Sequence, residues 1–157
     1  PVIDKNSMDK VGVTKVNLDQ LLTESHFITL HSPLIEQTAD MISYDQFNQM
    51  RKDAFLINCA RGGLINEDAL YEALESNKIA GAGLDVLVDI NPDFNHRLIQ
   101  HSKTIITPHT AFFSQEAVLE LEQRAAQYVG KVLIGEKPNN IINPEVLNNN
   151  LLRSKLN

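Results

Sequence analysis

The sequence has little of what marks a disulfide-bonded, membrane or nucleic-acid-binding protein. One cysteine occurs in 157 residues, which excludes a disulfide framework within the chain and a cysteine-based metal site. Lysine and arginine total 14 against 20 acidic residues, so the net charge of −6 argues against a nucleic-acid or anionic-membrane surface. No apolar run is long enough to cross a membrane, and the first residues lack the basic and apolar sections of a signal peptide. We therefore expect a protein of a reducing, cytoplasmic setting that holds no metal.

What the sequence does contain is a series of short apolar segments separated by amphipathic helical patterns. The segments lie at residues 27–30, 55–58, 79–87 and 104–107. Continuous apolar strands of this kind are typical of a parallel sheet that helices cover on both faces. A weaker alternation of valines predicts an edge strand at residues 11–16. The alternation of strands and helices predicts an α/β fold with a doubly wound parallel sheet.

Helix starts are marked by side chains that can cap free backbone amides. These residues are Asn17, Ser43, Asn66 and Ser114. Gln46 stands three positions after Ser43, as in a capping box. The last cap opens a long amphipathic helix expected over residues 114–134, which Gly135 ends. The asparagine-rich tail that follows has few apolar anchors, so we expect residues 148–157 to be flexible.

A polar, chemically useful side chain ends or follows each of the four apolar segments. These side chains are His31, Arg61, Asp85 and His109. Ligands of open α/β sheets bind outside the carboxyl ends of strands, so residues at these ends are placed to share one site. Each also has a plainer interpretation: the histidines as polar caps, Arg61 as a surface cation and Asp85 as a hydrogen-bond acceptor for a neighbouring loop. The repetition at four strand ends favours an active site.

Four ordered motifs carry a family resemblance. They are His31-Ser32-Pro33 with Thr38, Asn58-Cys59-Ala60-Arg61-Gly62-Gly63, Gly83-Leu84-Asp85-Val86 and Thr107-Pro108-His109-Thr110-Ala111. Together they resemble the NAD-binding domain of the D-isomer-specific 2-hydroxyacid dehydrogenases, in particular the phosphoglycerate dehydrogenase and C-terminal-binding-protein branches. The resemblance implies a Rossmann-like fold in which residues 1–147, including the helix over 114–134, form part of the NAD-binding domain. It also implies a homodimer in the complete protein.

The resemblance implies hydride transfer between NAD and C2 of a small 2-hydroxy or 2-oxo acid. Arg61 would bind the substrate carboxylate and polarise the carbonyl, and His109 would be the general acid and base. The residues that the resemblance places beside NAD are His31 and Ser32 near the ribose and phosphate, Cys59 and Ala60 near the nicotinamide, Asp85 at its carboxamide or ribose, and Arg61, His109, Thr110 and Ala111.

The sequence departs from the family pattern at the partner of the catalytic histidine. In the family a glutamate that follows the Gly-Leu-Asp-Val motif hydrogen-bonds this histidine and raises its basicity. Here the aligned position falls on Ile90 or Asn91, and the nearby acids are Asp89 and Asp93. Asp89 can take this catalytic role only if its loop moves inward, because aspartate is one methylene shorter than glutamate.

A second departure concerns the pyrophosphate of the cofactor. The chain opens at Pro1 and contains no Gly-x-Gly-x-x-Gly turn, so we expect that motif and the first two Rossmann strands to lie upstream. The chain alone is then expected to bind NAD weakly and not to turn over. Two alternatives stay open: an NAD-sensing module without catalysis, of the C-terminal-binding-protein kind, and a fragment without function.

Overall fold

The four predicted apolar segments form one parallel sheet. A computed structural model of the chain describes residue 3 and residues 5–148. The strands are β1 (Phe27–Leu30), β2 (Phe55–Asn58), β3 (Gly81–Leu84) and β4 (Thr104–Ile106). They lie in the order β1-β2-β3-β4, and every neighbouring pair is parallel. The α/β, Rossmann-like fold is thereby confirmed, with β3 and β4 shorter than the sequence predicts. The tail predicted at residues 148–157 lies outside the described residues, apart from residue 148.

Four of the six described helices begin directly after a predicted capping residue. The six helices are α1 (Lys5–Asp9), α2 (Leu18–Glu24), α3 (Tyr44–Gln49), α4 (Glu67–Glu75), α5 (Arg97–Gln100) and α6 (Gln115–Leu133), with short 3₁₀ turns at Gly62–Leu64 and Pro144–Asn148. Asn17 caps α2 by accepting a hydrogen bond from Gln20 N at 2.8 Å. Asn66 and Ser114 cap α4 and α6 in the same way. These local side-chain bonds confirm the predicted helix starts.

The connecting helices cover one face of the sheet. Each strand is added on the same side of the one before it, so right-handed crossovers place α3, α4 and α5 on a single face. Ile28, Leu30 and Leu56 point into the resulting core and are buried. On the other face Phe27 is 72% and Phe55 42% exposed, with their rings stacked at 5.6 Å. Among the described residues, the prediction of strands covered on both faces is therefore wrong for β1 and β2; the helices present are those of one half of a doubly wound sheet.

The edge strand predicted at residues 11–16 is not formed. Helix α1 precedes it and ends in a turn in which Gly12, at φ 73°, adopts the left-handed conformation. Gly12 N and Val13 N donate to Asp9 O and Met8 O, so the valines continue a helix terminus instead of pairing with a strand. Val13 is 52% exposed. The prediction was wrong because alternation alone supplies no pairing partner.

The chain divides into two compact units at residue 111, and the described part of the second unit is residues 112–148. Its main element is the 19-residue α6, which confirms the predicted long helix. The helix ends at Leu133. Gly135, which has φ 81°, follows its C-cap Ile134, and Glu136 N donates to Lys131 O at 2.8 Å. Asn140 Nδ2 donates to the Tyr128 hydroxyl at 3.1 Å and ties the following segment back to the helix. Within the described part of the chain, no helix combines the length and apolar character needed to cross a bilayer.

Candidate active site at the carboxyl edge of the sheet

The turn that carries Arg61 is held by the fully buried side chain of Asn58, the last residue of β2. Asn58 Oδ1 accepts a hydrogen bond from Ala60 N at 3.0 Å, and Nδ2 donates to Arg61 O at 2.8 Å. The main chain of the turn thereby satisfies both polar ends of a buried amide. The backbone around Cys59 is fixed, and the Arg61 side chain is left exposed at the edge of the sheet.

The same turn is wedged against the loop that follows β3. A Cβ added to Gly62 would lie 2.5 Å from Val88 N and closer still to the carbonyl carbon and oxygen of Leu87. Gly62 has no positive φ, so glycine is required here by the close approach of two backbones and not by its own conformation. The turn after β2 and the loop after β3 therefore keep a fixed relative position.

The carboxylate of Asp85 holds the turn that carries His109. Asp85 follows β3 directly and is only 4% exposed. Its Oδ1 accepts hydrogen bonds from the Thr107 hydroxyl and from Thr110 N at 2.8 Å, and its Oδ2 accepts from Ala111 N at 3.0 Å. The Asp85 carbonyl also accepts from His109 N at 2.9 Å. Four bonds from one residue fix the whole turn after β4.

These bonds keep Asp85 ionised. Burial raises the pKa of the Asp85 carboxyl, but hydrogen bonds from Thr107, Ala111 and Thr110, together with the nearby His109, outweigh burial and hold the pKa below its ordinary value. Hydrogen bonds donated by two backbone amides and a hydroxyl stabilise the ionised carboxylate relative to its protonated form. Asp85 is therefore a charged anchor for the turn at neutral pH.

His109 adopts a conformation that the Asp85 bonds impose. Its φ is 56°, in the left-handed region that residues other than glycine rarely enter. The bonds from His109 N, Thr110 N and Ala111 N to Asp85 stabilise this backbone, and the imidazole is exposed. Strain of this kind is concentrated at functional sites, where it aims a side chain.

Arg61, Asp85 and His109 meet at one edge of the sheet. Since β2, β3 and β4 are neighbours and parallel, their carboxyl ends share that edge. Two strand spacings separate β2 from β4, which is about 10 Å. The exposed Arg61 and His109 thus follow the strands on either side of β3, which the buried Asp85 follows directly.

The other predicted site residues are more loosely placed. His31 follows β1, is exposed, and its Nε2 lies 3.0 Å from Thr29 Oγ1. Ser32 is partly buried beside it, and the Cys59 thiol is free and exposed. Asp89 accepts a hydrogen bond from Asn91 N at 2.9 Å, which closes a local turn. No bond between Asp89 and the His109 imidazole is present among the described residues.

A cavity of about 490 Å³ opens beside His109, between the loop after β3 and the end of β4. Asp89 and His109 both line it, so the acid and the imidazole share one space without touching. The rest of its wall is mostly apolar. The apolar side chains that form most of this wall are Ile90, Pro92, Phe94, Ile99, Ile106 and Pro108.

Three residues that shape the site have roles that sequence reasoning missed. Asn58 and Thr107 hold the two turns, and Glu67 accepts a hydrogen bond from Val88 N at 2.7 Å. A buried asparagine at a strand end is a recognisable signal for a turn lock. Thr107 and Glu67 carried no such signal, because their partners lie more than twenty positions away in sequence.

Comparisons with known proteins agree on one family. The model of the D-isomer specific 2-hydroxyacid dehydrogenase NAD binding domain matches residues 1–111. The chain belongs to this family. A D-3-phosphoglycerate dehydrogenase of Synechocystis sp. is 38% identical over 143 residues, which are 91% of the chain and 26% of that protein. A glyoxylate reductase of Korarchaeum cryptofilum is 39% identical over 140 residues, which are 88% of the chain and 42% of the relative.

Solved structures of 2-hydroxyacid dehydrogenases share the fold. The NAD complexed form of the D-isomer specific 2-hydroxyacid dehydrogenase from Lactobacillus delbrueckii ssp. bulgaricus has a TM-score of 0.82 and 31% identity, over 90% of this chain and 47% of its own. D-lactate dehydrogenase with NAD+ from Lactobacillus jensenii has a TM-score of 0.82 and 32% identity, over 90% and 46%. The chain therefore spans less than half the length of these relatives.

The cofactor of this family is NAD. Cys59 is exposed and Ala60 is partly buried at the carboxyl edge, between the buried Asn58 and the exposed Arg61. The pyrophosphate has no counterpart within the 157 residues, because the sequence holds no Gly-x-Gly-x-x-Gly turn.

Proposed function

We propose that this chain supplies the substrate-binding and proton-transfer end of an NAD-dependent D-2-hydroxyacid dehydrogenase. The observation that carries the proposal is the shared edge: Arg61 and His109 follow β2 and β4, and Asp85 at the end of β3 fixes the His109 turn. Family membership makes hydride chemistry the expected use of such a site.

Arg61 binds the carboxylate of a 2-oxo acid and places its carbonyl oxygen toward His109. A guanidinium suits this task because it is planar, permanently charged and offers paired donors. His109 donates a proton to that oxygen during reduction and takes it back during oxidation. NAD, when bound, supplies or accepts the hydride at C2. Asp85 holds His109 in place through the backbone of its turn.

The cofactor contacts belong to the same proposal. Cys59 and Ala60 face the nicotinamide, His31 and Ser32 the ribose and phosphate, and Asp85 the carboxamide or ribose. Thr110 and Ala111 complete the surface beside His109. The support for this arrangement is position, because these residues end or follow β1, β2, β3 and β4 at the edge where ligands of such sheets bind.

Three further properties are proposed with it. Asp89 serves as the acidic partner of His109 once its loop moves inward across the cavity that both residues line. The 157-residue chain alone binds NAD weakly and does not turn over, since it lacks the glycine-rich turn. The complete protein is a cytoplasmic homodimer, in which a free, exposed cysteine stays reduced.

One observation favours a second candidate, an NAD-sensing module without turnover. Among the described residues no carboxylate is hydrogen-bonded to the His109 imidazole, and the family's glutamate position falls on Ile90 or Asn91. A histidine without that partner is a weaker base, which a binding module can tolerate and a dehydrogenase cannot.

A segment exchange tests the two candidates. This chain replaces the matching 140 residues of the K. cryptofilum glyoxylate reductase, and reduction of glyoxylate by NADH is followed. The enzyme hypothesis predicts turnover that His109→Ala lowers by about 100-fold or more and that Arg61→Ala also abolishes at low substrate. Matched controls are His26→Ala and Arg51→Ala, because both residues lie at the opposite end of the sheet and pair with Asp53. NADH binding without any turnover in a folded exchange protein would instead support the sensing module.

A further inference from the structure

The Glu67 side chain makes contacts that an acidic residue at a helix start does not usually make. It is the first residue of α4, where a carboxylate is expected to point toward solvent near the helix amides. Its side chain is instead only 17% exposed, and both oxygens have partners outside the helix. Oε1 accepts a hydrogen bond from Val88 N at 2.7 Å, and Oε2 lies 3.5 Å from His96 Nε2. One side chain thus reaches two points of another segment.

Those two points, Val88 and His96, lie toward the two ends of the loop between β3 and α5, residues 85–96. At its start the loop passes between Glu67 and the Gly62 turn, where Leu87 and Val88 approach the glycine backbone closely. At its end His96 begins α5. The His96 Nδ1 atom is buried and makes no hydrogen bond among the described residues, which leaves Glu67 as the polar partner of the ring.

The middle of this loop forms a wall of the cavity beside His109. Asp89, Ile90 and Pro92 line the cavity from the loop side, and Ile106 lines it from β4. These loop residues make few contacts of their own: Ile90 is 88% exposed, and Asp89 bonds only within the loop. The loop is therefore held toward its ends, by Glu67 at Val88 and His96 and by Gln100 Nε2, which donates to Phe94 O at 2.8 Å.

We propose that Glu67 is a positioning residue, whose carboxylate pins both ends of the β3–α5 loop, while the middle residues of that loop form the cavity wall that faces His109. Glu67 itself lines a different surface and does not touch this cavity. The meaning of the cavity as a substrate site rests on the proposed dehydrogenase function. The pinning itself does not, so it can be tested without cofactor or substrate.

The test is amide hydrogen exchange of the 157-residue chain by NMR. Glu67→Ala should speed exchange at Val88 by about tenfold or more, the effect of losing a hydrogen bond to a charged acceptor. Glu67→Asp keeps the charge and the helix start but is one methylene too short to reach both partners, so it should loosen Val88 as well. Glu67→Gln keeps both length and an acceptor oxygen, so Val88 exchange should stay within about threefold of the wild type.

Asp68→Ala is the matched control. Asp68 is the next acid in the same helical turn, but it pairs with Arg97 and not with the loop. If Glu67 acts only as a negative charge in the first helical turn, Val88 exchange should speed up equally in Glu67→Ala and Asp68→Ala and should not change in Glu67→Asp. That pattern would overturn the proposal. Unchanged Val88 exchange in Glu67→Asp would also overturn it, even if Glu67→Ala does not fold. The Ile106 methyl signal, from the facing wall, should shift in Glu67→Asp and not in Asp68→Ala.

Discussion

The packing of Gly62 against the loop after β3 yields the sharpest stability prediction. A methyl group at position 62 would stand 2.5 Å from Val88 N, whereas real Cβ contacts essentially never fall below 3.0 Å. The atoms that must move belong to the backbone, so Gly62→Ala should cost about 2 to 3 kcal/mol of unfolding free energy, at the upper end of overpacking effects. The neighbouring Gly63→Ala meets only the flexible end of Leu34 at 3.0 Å. The stiffer unfolded chain should offset this contact, so Gly63→Ala should change the unfolding free energy by no more than about 1 kcal/mol.

Urea unfolding followed by far-ultraviolet circular dichroism measures both variants, because the chain has no tryptophan. We expect the Gly62→Ala midpoint to fall clearly below the wild type and the Gly63→Ala midpoint to stay close to it. The thermal unfolding midpoint of Gly62→Ala should lie on the order of 5 to 10 °C below that of Gly63→Ala. Equal unfolding free energies for the two variants would mean that the Arg61 turn and the loop after β3 are not interlocked as described.

Three further predictions concern the other locks and one cap. Asp85→Asn should lower the unfolding free energy by about 2 kcal/mol at pH 7, because it weakens three accepted hydrogen bonds. The pKa of Asp85 is lowered in the fold, so its stabilising contribution is present above the ordinary carboxyl pKa and is lost as pH falls through the lowered value. The urea midpoints of the variant and the wild type should therefore converge in acid. Asn58→Ala should cost about 2 kcal/mol in the same assay, since it leaves Ala60 N and Arg61 O without their partner. Ser114→Ala should lower the helical circular dichroism signal and cost about 1 kcal/mol, because Ala117 N loses its cap.

Local features of the fold could be predicted from the sequence. The caps at Asn17, Asn66 and Ser114 depend on residues within four positions of one another, so their patterns are complete in the sequence. The edge strand at 11–16 could not be predicted in this way, because a strand depends on a partner elsewhere in the chain. Coverage of a sheet face likewise depends on elements elsewhere in the chain. We expected both faces of β1 and β2 to be covered, whereas Phe27 and Phe55 are exposed on one face.

The sequence predicts at which edge of the sheet the candidate site lies, but not the hydrogen bonds that hold its turns. Four strand ends in parallel order bring Arg61, Asp85 and His109 to one edge, and that follows from the topology. The sequence left open whether Asp85 meets a loop or a cofactor. In the structure three donors from positions 107 to 111 engage its carboxylate, and such pairings across more than twenty residues have no local signature. The role of Glu67 was hidden for the same reason, since its position in a first helical turn already had a sufficient explanation.

A double-mutant cycle on turnover in the exchanged glyoxylate reductase tests most directly whether Arg61 and His109 act on the same small oxoacid. Arg61→Gln, His109→Gln and the double variant are compared by kcat/KM for glyoxylate with NADH. If both side chains hold one substrate, the double variant should lose far less than the product of the two single losses. Losses that simply multiply, or single variants that retain wild-type kcat/KM, would contradict a shared site at this edge of the sheet.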